Sequence, residues 1–65
     1  MDSVYLLIKD NNWEDIVVFL DKEEAIAASI KYSTCRVEIF NKNNDTNGYE
    51  PTYNYYANGI FIKNS

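Results

Sequence analysis

At 65 residues the chain has room for one domain, and a domain of that size buries only about 60% of the surface its unfolded form exposes, so a small core needs support from elsewhere. It has no histidine, one cysteine and two glycines, which excludes an internal disulfide, an ordinary zinc set and a glycine-rich phosphate loop. The net charge of −4, with no two basic residues adjacent, argues against direct nucleic-acid binding, because that binding needs several phosphates neutralised together.

Met1-Asp2-Ser3 opens without a basic region and long apolar run, so no secretory signal is expected. No apolar stretch approaches the roughly 20 residues of a membrane helix. The expected location is cytoplasmic, with Cys35 reduced. Residues 4–9 read as a first strand, with Val4, Leu6 and Ile8 on one face and Tyr5, Leu7 and Lys9 on the other. Asp10-Asn11-Asn12 breaks it, and the β-branched run 16–20 follows at a spacing that suits an antiparallel hairpin. Trp13 lies where the loop rejoins the second strand; its indole either caps the core or stands out as a contact anchor.

Asp21-Lys22-Glu23-Glu24-Ala25 has the pattern of a helix start, with Asp21 as N-cap and Glu24 reaching back to complete a capping box. Glu23 and Glu24 in the first turn and Lys31 in the last complement the helix dipole. Ala25, Ile26, Ser29, Ile30 and Ser33 share one side and predict a small-residue face packed on a sheet. A third strand is expected over 35–40, with Cys35, Val37 and Ile39 facing inward and Arg36 and Glu38 outward. Cys35 reads as a small core residue, since nothing near it in sequence activates the thiol.

Residues 41–48 are polar and read as a surface loop. Asn43, Asp45, Asn47 and Gly48 match the first half of a calcium loop. Position one, however, is Asn43, and Asn54 stands where a bidentate glutamate is needed, so neither metal nor any other cofactor is expected. In the tail, Asn58-Gly59 signals a type I′ hairpin pairing Ala57 with Ile60, Tyr56 with Phe61 and Tyr55 with Ile62. Both faces of that hairpin are apolar, and one short helix covers only one face of a sheet. Either the tyrosines pack at home or they meet another protein.

The predicted fold is α+β: a small ββαβ(ββ) domain, an antiparallel sheet with one helix on one face and a C-terminal hairpin extending or covering it. The missing catalytic groups and the aromatic content of 15% point to a non-enzymatic protein-interaction module, with a protein partner, a homo-oligomer or both, and no membrane. The candidate interface is Trp13, Tyr53, Tyr55, Tyr56 and Phe61. The alternative is an acidic inhibitor or nucleic-acid mimic blocking a basic site on a host or rival enzyme, for which the carboxylates between 10 and 24 are the relevant cluster.

The segments Tyr5-Leu6-Leu7-Ile8, Trp13-Glu14-Asp15-Ile16, Lys22-Glu23-Glu24-Ala25-Ile26, Arg36-Val37-Glu38-Ile39-Phe40 and the tail through Asn58-Gly59 together resemble small uncharacterised proteins of large nucleocytoplasmic DNA viruses. The resemblance implies a viral accessory or virion-assembly role, in host cytoplasm or virion, and brings no catalytic residues with it. Nine asparagines, with the frequent Lys, Ile and Tyr, are the bias that AT-rich codons produce. The first forty residues also resemble a strand-strand-helix-strand module of short bacterial and phage proteins.

Overall fold

A computed structural model describes residues 2–9 and 13–64, with Trp13 described by its backbone alone. The elements are β1 (Ser3–Ile8), a 3-10 turn at Trp13–Asp15, β2 (Ile16–Phe19), α1 (Lys22–Lys31), β3 (Val37–Asn43), β4 (Gly48–Ala57) and β5 (Ile60–Ile62). The strands form one five-stranded sheet in the order β2-β1-β3-β4-β5, every neighbouring pair antiparallel. The chain is a small α+β domain. Because β1 is antiparallel to both β2 and β3, those two run parallel with β1 between them, and α1 is the crossover joining them. Among the described residues, no helix is long and apolar enough to cross a membrane.

The alternation in β1 sets the core. Leu7 pairs with Val17 and Val37, Val37 with Tyr56, and Tyr56 with Phe61, so these residues form one row across all five strands on a single face. α1 lies on the middle of that row. Leu7, Val37, Ile39 and Tyr56 are buried with Ala25 and Ala28 of the helix, and Tyr5, Phe19, Ile26, Tyr32 and Cys35 pack around them. Alanine at the contact lets the helix approach closely. The Tyr56 ring is 6.3 Å from Tyr5 and 5.7 Å, edge-on, from Phe61.

The helix begins where expected, but not by the expected device. Asp21 is the N-cap, with extended backbone, and its carbonyl accepts the first helical bond from Ala25 N at 3.0 Å. Its side chain makes no capping hydrogen bond, so the box with Glu24 is not formed. The carboxylates of Glu23 and Glu24 still lie in the first turn and Lys31 in the last, in register with the dipole. The buried side of α1 is Ala25, Ala28 and Ser29. Ile30 is exposed and Ser33 lies beyond the helix end, because Tyr32 N closes the last turn on Ala28 O at 2.9 Å.

β3 also starts later than its alternation suggests. Cys35 N donates to Tyr32 O at 2.8 Å, which holds 32–35 in a turn and leaves Cys35 half-buried against the core, outside the strand. The polar segment 41–48 is not a loop but the end of a hairpin: Asn41 pairs with Glu50, Lys42 with Tyr49 and Asn43 with Gly48. Side chains supply what apolar alternation does not. Asn43 Nδ2 donates to Glu50 Oε2 at 2.9 Å, Asn43 Oδ1 accepts from Asp45 N at 2.9 Å, and Ser3 Oγ donates to Asn41 Oδ1 at 2.7 Å. The residues that echo half a calcium loop thus build a turn, with Asn47 at φ 58° closing it.

The tail extends the sheet. Asn58 (φ 52°) and Gly59 (φ 79°) take the two positive angles of a type I′ turn, and the register is the one its sequence implies. The turn leans on α1: Gly59 N donates to Ser29 Oγ at 2.9 Å, and that buried hydroxyl donates to Ile26 O at 2.7 Å.

Candidate interaction surface

One helix covers one face of the sheet; the other face has no layer over it among the described residues. Its residues follow from the register. Leu6 pairs with Val18 and Glu38, Glu38 with Tyr55, and Tyr55 with Ile62, giving a second row across all five strands, Val18–Leu6–Glu38–Tyr55–Ile62. On one side of it Val4 pairs with Phe40 and Phe40 with Pro51; on the other Ile8 pairs with Ile16, and Ala57 with Ile60. Val18 and Ile60 are more than half exposed, at 53% and 64%. Apolar residues thus line this face on both sides of Glu38.

The middle strand and the residue just before it carry the face's polar centre. Arg36 Nε forms an ion pair with Glu38 Oε2, and the Glu38 side chain is only 15% exposed against 60% for Arg36. The Arg36 guanidinium also lies 4.6 Å from the centroid of Tyr55, a cation–π contact. Arginine therefore bridges the acid and the ring while leaving much of its fork free.

Beside this centre the ladder between β3 and β4 breaks. Glu38 faces Tyr55 but Phe40 faces Pro51, so Ile39 alone opposes Thr52, Tyr53 and Asn54. Thr52 fills the gap: its Oγ1 donates to Ile39 O at 2.8 Å and accepts from Asn54 N at 3.1 Å. The price of this bulge falls on Tyr53, held at φ 68°, a left-handed backbone that costs a non-glycine residue roughly 1–2 kcal/mol. Tyr53 is 63% exposed and stands at the rim of a half-open recess of about 640 Å³ that Ile8, Glu38, Phe40 and Pro51 help to line. Cys35, Thr34 and Arg36 complete its wall.

The sequence-predicted interface residues do not form one patch. Tyr53 and Tyr55 belong to the open face. Tyr56 lies in the core beneath the helix, and Phe61, its cross-strand partner, is half-exposed at the sheet edge on the helix side. The Trp13 side chain is outside the described residues. Sequence reasoning did not single out Leu6, Val18, Phe40 and Ile62, although the signal was present: Val4, Leu6 and Ile8 alternate as cleanly as Tyr5 and Leu7, and only one of those faces can meet a lone helix. No protein-family model, curated protein or solved structure matches the chain.

Proposed function

We propose that this chain is a non-enzymatic protein-interaction module whose contact surface is the open sheet face, with Tyr53 and Tyr55 as its aromatic anchors. The observation that supports this most directly is the row Val18–Leu6–Glu38–Tyr55–Ile62: four apolar or aromatic side chains around one ion-paired acid, the composition of an interface core with a single orienting charge. The strain at Tyr53 fits the same reading, because a bulky residue kept in a costly backbone beside a recess marks a place selected for more than stability. An accessory or assembly role, of the kind the viral resemblance implies, needs such a surface and no reactive group.

The test is site-specific photo-crosslinking in the producing cell. With benzoylphenylalanine in place of Val18, the chain is expected to form discrete protein adducts; in place of Ala27, on the exposed side of α1, it is expected to form none. Equal labelling at both positions, or none at Val18, would overturn the proposal.

A further inference from the structure

We infer that Asn47 is a site of self-modification, where the side-chain amide is lost through a cyclic imide, and that the fold shields Asn58 from the same reaction. The inference stands apart from the interaction reading above. Both glycines of the chain follow an asparagine, as Asn47-Gly48 and Asn58-Gly59. Such a pair favours the reaction because glycine, without a Cβ, leaves its nitrogen open to the preceding side chain. The Gly48 nitrogen attacks Asn47 Cγ; the N–Cγ bond forms, the Cγ–Nδ2 bond breaks, and ammonia leaves with the proton of the glycine N–H. Water then opens the imide. Opening at Cγ gives aspartate, and opening at the Asn47 main-chain carbonyl gives isoaspartate, with the main chain rerouted through Cγ.

The two pairs share their local geometry and differ in what holds them. Both asparagines are exposed, and both have left-handed backbones, at φ 58° for Asn47 and 52° for Asn58. Gly59 N, however, donates to Ser29 Oγ at 2.9 Å, and that buried serine is itself fixed by its bond to Ile26 O. A Cβ built on Gly59 would lie 2.9 Å from Ile30 Cδ1, so the turn is pressed against α1. Cyclisation at Asn58 must therefore break a part-buried hydrogen bond and draw the turn off the helix. Gly48 has a weaker hold. Its N–H donates at 3.3 Å to Oγ1 of Thr46, an exposed residue of the same turn. Among the described residues, and beyond its chain neighbours, a Cβ at Gly48 would meet only that oxygen, at 3.7 Å. Opening there frays the end pair of the β3–β4 ladder, Asn43–Gly48, and leaves the rest of the sheet closed.

Peptide mass mapping of the full chain tests this during incubation in mildly alkaline buffer, native and in concentrated urea, with isoaspartate methyltransferase and a labelled methyl donor reporting isoaspartate. In urea the two pairs are expected to convert at similar rates. In the native chain Asn47 is expected to convert about tenfold or more faster than Asn58. Ser29→Ala removes the acceptor of the Gly59 N–H and is expected to speed Asn58 by about fivefold or more, with Asn47 unchanged. Gly48→Ala, for which there is room, is expected to slow Asn47 by about tenfold, and this reading does not depend on the serine variant folding. Native rates that are equal, or faster at Asn58, overturn the inference, as does a native Asn47 that stays intact while the chain in urea converts. Aspartate without isoaspartate at Asn47 would mean direct hydrolysis of the amide and overturn the cyclic imide. An unchanged rate at Asn58 in a folded Ser29→Ala chain overturns the shielding.

Discussion

Ser29 is a hydroxyl in the core with two jobs, donating to Ile26 O and accepting from Gly59 N. Removing it leaves the turn's N–H facing an alanine methyl. Ser29→Ala is therefore expected to cost about 1–2 kcal/mol, read as a lower urea midpoint at unchanged slope, with faster amide exchange at Gly59 than in the rest of the sheet. An unchanged midpoint would mean that the hairpin turn finds its partner elsewhere. Tyr53 presents the opposite case. Its ring is mostly exposed and its backbone strained, so glycine relieves roughly 1–2 kcal/mol of left-handed cost against roughly 0.5–1 kcal/mol of added chain entropy. Tyr53→Gly is expected to match or exceed the wild type in stability, and to exceed Tyr53→Ala by about 1 kcal/mol, since alanine loses the same ring but keeps the strain. Equal midpoints for the two variants would show that the bulge relaxes when the ring is gone.

At the scale of elements, the short-range signals were legible and the side-chain details were not. Asn58-Gly59 specified its turn and the register of three residue pairs, because a type I′ turn leaves the strands no freedom. Asp21 marked the helix start correctly, yet its carboxylate makes no capping bond. What remains there is the dipole, so Asp21→Ala is expected to cost only about 0.3–0.5 kcal/mol, well below the roughly 1 kcal/mol of a made cap; a larger loss in thermal or urea unfolding would restore the capping bond to the account. The β3–β4 hairpin was hidden because Asn41, Lys42 and Asn43 carry no hydrophobic alternation, and their pairing is supported by polar side-chain hydrogen bonds, Asn43–Glu50 across the hairpin and Ser3–Asn41 from a strand 38 residues away, that alternation does not signal. The bulge at Thr52–Asn54 was hidden for a similar reason: Thr52 replaces a ladder bond only once Ile39 is beside it.

For the whole molecule, the open face follows from a count of layers. A sheet with two apolar faces and one helix has one face too many, and that much was legible in the alternation of β1 and the tail. That Tyr55 and Tyr56 point to opposite sides followed from strand alternation; which of those sides meets the helix did not, because it depends on the pairing of β4 with β3. Tyr55 lies under Arg36 and Tyr56 in the core.

The place of β1 in the strand order bears on how the chain reaches its native state. The first of the five strands in chain order is the second from one edge, and its contacts with β3 span up to 38 residues, as between Ser3 and Asn41. The β3–β4–β5 meander, by contrast, closes through two tight turns. Loop-closure entropy favours the meander as the early folding nucleus, with β1 inserting between β2 and β3 afterwards. A ribosome-bound chain must then hold its N-terminal strand unpaired on one side until β3 has emerged. Chevron analysis should accordingly give a φ-value near 1 for Ala57→Gly, beside the last turn, and near 0 for Leu6→Ala in β1. The reverse order would show that the N-terminal hairpin forms first and the meander grows onto it.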